Sequence, residues 1–337
     1  MMIKIFLLYY VIAANAIDTE EELRTAVMFL TVALLSQGAL ACLQFFSGYA
    51  FDVFSTGISA GMFHRIDTWG GIFKRVYGTV VDKPNGFAGY IVPLMFINFA
   101  ILLHKGRYAR LRFIASILGF MALVFSFSRG GWLGFIIASV VLFFIIIRKG
   151  IQLERYVRVS IISGLIVVAA LFPFIYQRVT TDPADAAMSR VPLVKLAMNM
   201  IREHPFNGVG ANTFTNVIGE YVTFDIQDAY LYEVHNQYLL VFSETGLFGF
   251  SCFLWLLYSV IKLAMNCIRQ KENEFIYYLG LGSILGMIGS MTHMMVDMFN
   301  TRLFFGSFFI LAAILSGANR VIDRRYQLEK TTPHSVS

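Results

Sequence analysis

The sequence predicts an all-α polytopic membrane protein with about nine transmembrane helices and a large loop between the sixth and seventh helices. Hydrophobic residues make up 57% of the 337 residues and charged residues only 14%. The mean hydropathy is +0.67. Soluble domains of this length do not normally reach such values. Apolar runs close to the ~20 residues that cross roughly 30 Å of hydrocarbon also recur along most of the chain.

The predicted spans, in chain order, lie at 3–17, 25–46, 87–103, 113–127, 132–147, 161–176, 247–265, 276–298 and 303–318. We predict that residues 1–330 form a single integral membrane domain. Residues 331–337 are predicted to be a disordered tail, because chain termini that nothing ties down are commonly poorly ordered.

Basic residues indicate the orientation, because cytoplasmic connections of membrane proteins retain Lys and Arg. Four basic clusters fall on one side if the nine spans alternate: Lys105, Arg107, Arg110 and Arg112; Arg148, Lys149, Arg155 and Arg158; Lys262, Arg269 and Lys271; and Arg320, Arg324 and Arg325. The loops at 47–85 and 177–234 are then external and the carboxyl terminus is cytoplasmic. Basic residues on the cytoplasmic side therefore account for the net charge of +6. The larger external loop is slightly acidic, so no nucleic-acid partner is expected.

A polar turn, Ser126-Phe127-Ser128-Arg129-Gly130-Gly131, joins the fourth and fifth spans. An arginine at bilayer depth is costly unless it is paired, hydrated or able to reach the interface. Two interpretations stay open. Arg129 caps a turn at the external interface, or Gly130 and Gly131 let the backbone break so that Arg129 holds two phosphate oxygens in a wet cavity.

The larger loop has polar residues around an apolar, helix-like stretch. Ser189-Arg190 leads into this stretch, which predicts a helix lying on or dipping into the membrane surface. A turn containing Gly208 and Gly210 follows. We interpret His204 as a turn or cap residue. In the shorter loop, Arg75 with its basic neighbours contacts either lipid headgroups or a charged substrate.

His235 and Asn236 stand where this loop re-enters an apolar helix, which carries Glu244 before Gly246 and Gly249. A histidine with an ordinary pKa of about 6.5 can accept a hydroxyl proton at neutral pH, and a nearby carboxylate can fix its tautomer. A lone histidine is more often structural. His293 and Asp297, one helical turn apart in the eighth span, are either hydrogen-bond partners or functional groups.

Several motifs are missing from the sequence. It has no phosphate-binding Gly-x-x-x-x-Gly-Lys loop, no His-Glu-x-x-His, no Cys-x-x-Cys and no Asp-x-Asp pair. These motifs commonly hold ATP or metal ions. We therefore predict no cofactor and no metal.

The chain resembles the O-antigen ligase and polymerase superfamily of bacterial envelope proteins. The matching pieces are Arg75 to Thr79 with Asp82 to Ala88, Ser128 to Gly134, Ser189-Arg190 with His204 to Phe214, and His235 to Gly249. Each piece alone is weak. The His-Asn pair followed after nine residues by Gly-x-x-Gly, combined with the arginine turn, is fairly specific.

The resemblance implies a metal-independent, inverting membrane glycosyltransferase of the GT-C type in the bacterial inner membrane. It would act at the external face on a glycan carried by undecaprenyl diphosphate, with a lipid, glycan or protein as acceptor. Carried over residue by residue, Arg129 and Arg190 would bind the diphosphate and His235 would be the base. Arg75, Asn236 and Glu244 are further candidate substrate-binding residues. The candidate motif glycines are Gly130, Gly131, Gly208, Gly210, Gly246 and Gly249.

Members of this superfamily commonly carry more spans upstream, so we expect this chain to lack helices found in relatives. Two alternatives follow. Relatives with this domain are associated with inorganic carbon uptake, which makes a transporter or transport accessory the second hypothesis. The third is a truncated, inactive homologue.

Overall fold

The computed structural model of the protein describes residues 10–51, 63–65, 75–79, 83–104, 108–151, 153–180, 190–222, 232–298 and 302–331. A helical turn at Ala13–Asn15 precedes these elements: α1 (Glu20–Ser47), β1 (Tyr49–Phe51), β2 (Phe63–Arg65), α2 (Pro84–Leu102), α3 (Ala109–Phe125), α4 (Arg129–Lys149), α5 (Arg155–Thr180), α6 (Arg190–Glu203), α7 (Phe214–Tyr221), α8 (Gln237–Arg269), α9 (Glu274–Met294) and α10 (Arg302–Thr331). The two strands form one short antiparallel hairpin in which Tyr49 pairs with Arg65. The prediction of an all-α polytopic protein is confirmed.

Short polar side chains define where several helices begin. At α1, the Thr19 hydroxyl accepts from the backbone N–H of Glu22, whose carboxylate accepts from the N–H of Thr19. Asn236 and Asn273 cap α8 and α9, each accepting from the N–H three residues on. The first N–H groups of a helix have no partner within it, so these caps fix the starting residues.

Seven helices in the described part of the chain are long and apolar enough to cross a membrane. They are α1, α2, α4, Arg155–Gln177 of α5, α8, α9 and Gly306–Leu328 of α10. The predicted count of nine is not confirmed. The fourth predicted span corresponds to α3, which has 17 residues. Residues 3–9 of the first predicted span lie outside the described residues.

Helix α9 lies at the centre of the bundle, where it packs against α2, α4 and α8. Small residues allow these close contacts. A Cβ atom at Gly134 of α4 would collide with the carbonyl oxygen of Gly289, and one at Gly286 would lie 2.9 Å from Cα of Pro93 in α2. Helices without large side chains at the contact can approach closely, as membrane helices commonly do. By contrast, α5 is mostly exposed along its membrane-spanning length.

Six helix ends meet at what we call the upper end of the bundle: the last turns of α1, α3 and α9 and the first turns of α2, α4 and α8. Contacts that join these turns are Phe45 with Phe125, Ser128 with His293, and Asn236 with Met295. The opposite, lower end carries basic residues of α3, α4 and α5, namely Arg110, Arg112, Arg148, Lys149, Arg155 and Arg158. There Asp18 also forms ion pairs with Arg320 and Arg324 of α10. The predicted polar turn and the described members of these basic clusters are therefore at opposite ends; Lys105 and Arg107 lie outside the described residues.

The large loop between α5 and α8 contains two helices, α6 and α7, with a small apolar core of their own. Met200 and Phe214 are fully buried between them. The helix predicted after Arg190 is confirmed by α6. Ser189 and the segments 181–189 and 223–231 lie outside the described residues, as do Asp82 and the tail 332–337.

Candidate functional site

Asn236 fixes the place where α8 meets the end of α9. Its side-chain oxygen accepts from the N–H of Leu239 at 3.0 Å, and its Nδ2 donates to the carbonyl of Met295 at 2.9 Å. His235 precedes this cap and is half-buried. Its Nδ1 atom is buried and makes no hydrogen bond within the part of the chain that the structure describes. His235 is thus held at the upper end, and its Nδ1 atom is not hydrogen-bonded to any of the described residues.

The surroundings of His235 favour its neutral form. Burial lowers the pKa of His235 from its ordinary value, the charge of Asp297 opposes this shift, and the charge of Arg190 adds to it. Arg190 is anchored nearby, because its Nη1 donates to the carbonyl of Val296 at 3.2 Å. A neutral imidazole at neutral pH can accept a proton.

Asp297 lies in the turn after α9 and is almost completely buried. Its Oδ2 is 3.8 Å from Nε2 of His293, and its Oδ1 accepts from the N–H of Met298 at 2.9 Å. Burial acts to raise the pKa of Asp297, but His293, His235 and the Met298 N–H outweigh it and the pKa is lowered. The carboxylate is therefore ionised and interacts with two imidazoles.

Ser128 connects the turn before α4 to this group. Its Oγ accepts from the N–H of Gly131 at 3.3 Å and lies 3.5 Å from Nε2 of His293. Phe127 adopts a positive φ of 48°, so the chain reverses direction before α4 begins. Arg129 is the first residue of α4 and is half-buried.

The interpretation that Gly130 and Gly131 break the backbone is wrong. Both lie inside the first turn of α4, and neither has a positive φ. Their small size serves packing instead. A Cβ atom at Gly130 would lie 2.7 Å from Nε2 of His293, and one at Gly131 would lie 2.6 Å from Cβ of Ala88. The glycines let the start of α4 touch α9 and α2.

Arg75 is bound to the same polar turn. Its Nε donates to the carbonyl of Ser126 at 2.9 Å, and its Nη2 donates to the side chain of Asn85 in α2. The adjoining segment is held by Gln44 of α1, which accepts from the N–H of Gly78 at 3.0 Å and donates to its carbonyl at 2.6 Å. An irregular backbone at membrane depth needs such partners.

Glu244 joins the turn at 204–214 to α8. Its carboxylate accepts from the N–H of Asn212 at 2.9 Å and of Phe214 at 3.1 Å. The helix kinks at Gly246, whose φ is 62°, and a Cβ atom there would lie 2.5 Å from the N atom of Asn207. These bonds give Glu244 a structural role.

The remaining motif glycines belong to the same region. Gly208 and Gly210 have φ values of 67° and 116°, which favour glycine. A Cβ atom at Gly208 would lie 2.5 Å from the N atom of Thr245. Gly249 faces Thr245 one turn before it on α8. Together they let the turn and the kinked helix lie against each other.

The structure therefore brings Arg75, Arg129, Arg190 and His235 to the upper end, whereas Asn236 and Glu244 bond mainly to backbone atoms. That Asn236 and Glu244 bind substrate stays a prediction. Three further residues complete the group: Ser128, His293 and Asp297. The spacing of His293 and Asp297 is the signal in the sequence that points to them. In the described residues no three His, Cys, Asp or Glu side chains are grouped so as to hold a metal ion.

Residues 114–254 match a family model described as O-antigen ligase. This segment extends from α3 to the middle of α8 and includes Arg129, Arg190 and His235. No curated protein matches the chain. The match confirms the predicted relationship to the O-antigen ligase and polymerase superfamily, and with the apolar helices it indicates a multi-pass membrane protein of bacterial type.

Proposed function

We propose, on the premise that residues 114–254 form an O-antigen ligase domain, that the protein is a membrane glycosyltransferase. It transfers or polymerises a glycan carried by undecaprenyl diphosphate. The observation that carries the proposal is the grouping of His235, Arg190 and Asp297 at the upper end of the bundle. A neutral imidazole, an ionised carboxylate and a guanidinium together supply a proton acceptor and an anion-binding group.

The donor diphosphate binds to the arginines at the upper end. Arg129 begins α4, so its guanidinium adds to the positive end of a helix dipole. Arg190 lies beside the turn that carries Asp297, and Arg75 lies against the Ser126 carbonyl. A diphosphate is already a good leaving group, so positive charge around it stabilises the transition state without a metal.

The acceptor hydroxyl gives its proton to His235. Its oxygen attacks the anomeric carbon from the face opposite the diphosphate, and the bond between that carbon and the phosphate oxygen breaks. The lipid diphosphate leaves with the bonding electron pair, so the configuration inverts. Asp297 stabilises the imidazolium that forms. The acceptor is a lipid, a glycan or a protein.

The upper end faces the periplasm and the lower end the cytoplasm in this proposal. Basic residues at the lower ends of α3, α4, α5, α8 and α10 support it, because positive residues favour the cytoplasmic side. The carboxyl terminus is then cytoplasmic. Residues 1–330 form one domain in the bacterial inner membrane.

The test is the glycan profile, by gel and size exclusion, of a host with the gene deleted and then restored. The restoring genes are wild type, His235→Ala and His204→Ala, the last being an exposed histidine in the turn after α6. We expect wild type and His204→Ala to restore the chain length or linkage of a glycan and His235→Ala to fail. An unchanged profile on deletion, or full restoration by His235→Ala at equal protein level, would falsify the proposal.

A further inference from the structure

A cavity lies at the lower end of the bundle, remote from the group around His235. Its volume is about 440 Å³. Residues that line it include Glu21, Arg24, Phe29, Val32, His104, Arg112 and Phe275. We call it the lower cavity. Helix α3 has 17 residues and rises about 1.5 Å per residue, or ~25 Å in all. Its first turn, which carries Arg112, therefore lies near the membrane interface opposite the group around His235.

Arg112 lines this cavity and is only 6% exposed. Its Nη1 donates to Oγ1 of Thr31 at 2.8 Å. Among the described residues no carboxylate forms an ion pair with Arg112, whereas Arg24 pairs with Glu20. A buried guanidinium without a counter-charge is costly. An anion in the cavity would supply that charge.

The other polar groups at the cavity leave Arg112 as its main anion-binding residue. Arg24 stacks on the ring of Phe275 at 4.1 Å, and its charge repels that of Arg112. His104 bonds to Glu274 at 2.6 Å. Glu21 is exposed at the rim, where it can accept hydrogen bonds from hydroxyl groups of a ligand.

The apolar part of the lining identifies the source of the anion. Phe29 and Val32 are 69% and 45% exposed on the face of α1 that borders the cavity. In a membrane this face is covered by lipid chains. A phosphate at the level of Arg112 then belongs to the headgroup of a lipid whose chains lie along α1.

We propose that the lower cavity binds the phosphodiester headgroup of an anionic phospholipid from the leaflet at the lower end. Arg112 donates two parallel N–H bonds to the phosphate. The acyl chains pack on Phe29 and Val32. This site is separate from the proposed glycan transfer and does not depend on it.

The test uses the full-length protein, purified and stripped of lipid in detergent. Mixed micelles of phosphatidylglycerol, mixed micelles of phosphatidylcholine, and inorganic phosphate are each titrated, with bound lipid counted by native mass spectrometry and thermal stability measured in parallel. We expect phosphatidylglycerol alone to bind and to raise the Tm. Arg112→Gln should weaken that binding about tenfold or more. The matched control is Arg110→Gln, an exposed arginine in the same helix, which should bind as wild type does.

A second variant, Val32→Trp, fills the cavity opening and keeps Arg112. It should lose the bound lipid without losing the fold, so the test stands even if Arg112→Gln does not fold. Equal binding of phosphatidylcholine, unchanged binding in both cavity variants, or equal loss in Arg110→Gln would overturn the proposal. Saturation by inorganic phosphate alone would also overturn the lipid assignment, because the ligand would then be a soluble phosphate.

Discussion

Arg190 donates from Nη1 to the carbonyl of Val296 at 3.2 Å, immediately before Asp297. The first residue of α6, in the large loop, is therefore bonded to the turn that ends α9. Arg190, which is proposed to bind phosphate, is therefore held by the same turn that carries Asp297, the proposed partner of the base His235. A shift of the loop would displace both together.

Replacing Arg190 with Gln removes this bond and the charge proposed to stabilise the leaving diphosphate. We expect the transfer rate to fall about 10²–10³-fold, the range seen when one donor to a developing charge is lost. Arg190→Lys should recover little of the rate, because an ammonium group cannot fork two oxygens. Rates are measured with purified protein and a lipid-linked glycan.

The matched control is Arg202→Gln, which removes an exposed arginine from the same helix. It should keep the wild-type rate. An equal loss in both variants would mean that the net charge of the loop matters and that the position of Arg190 does not.

The transfer rate should decrease at acidic pH with a midpoint below 6.5, the ordinary pKa of histidine. Burial lowers the pKa of His235, so its neutral, proton-accepting form persists to lower pH. Asp297→Asn removes the charge that raises the pKa of His235. The acidic limb of the pH–rate profile should therefore move to still lower pH. The maximal rate should fall as well. A pH–rate profile of both proteins tests this, and a limb that does not move in Asp297→Asn would contradict the coupling.

Gly130→Ala should reduce both stability and activity. The added Cβ atom would lie 2.7 Å from Nε2 of His293, so α4 and α9 must move apart. We expect a loss of about 1–3 kcal/mol, typical of overpacking. Gly219→Ala in α7 is the control, because a Cβ atom there meets nothing within 4 Å. Thermal unfolding of both variants measures the difference, and equal Tm values would rule out the close contact.

Glu244→Gln should loosen the turn at 204–214 and leave the membrane helices in place. The N–H groups of Asn212 and Phe214 would lose a charged acceptor, and bonds to charged groups contribute about 1.5–3 kcal/mol. Hydrogen exchange should rise in this turn alone. Glu220→Gln, which changes an exposed carboxylate of α7, should leave exchange unchanged. Faster exchange throughout α8 would instead show a global effect.

Local patterns were sufficient to predict several features of this fold. Apolar length located α2, α4, α9 and most of α8, and the proline and glycines after α6 predicted its end. The roles of Gly130 and Gly131 could not be predicted, because a Gly-Gly pair permits both a break and a close contact. The partner helices decide between them: α9, which lies more than 140 residues along the chain, contacts Gly130, and α2 contacts Gly131.

The candidate site could be predicted only in part, because some of its contacts join helices that are distant in the sequence. His235, Arg129 and Arg190 stand in short polar motifs, so each can be recognised from its neighbours in the sequence. Asp297 acts on the charge of His235 because the start of α8 lies against the end of α9, where Asn236 bonds to Met295. Such contacts depend on which helices lie side by side, and a one-dimensional pattern does not contain that information.

The enclosed position of α9 and the exposed position of α5 have a consequence for bilayers of different thickness. A helix surrounded by lipid adapts to hydrophobic mismatch by tilting. Helix α5 has few packing partners and can tilt, whereas α9 is held by α2, α4 and α8. His293 lies in the last turn of α9 and Asp297 follows that helix. A thinner or thicker bilayer will therefore tilt α5 and leave the relative positions of these two side chains unchanged.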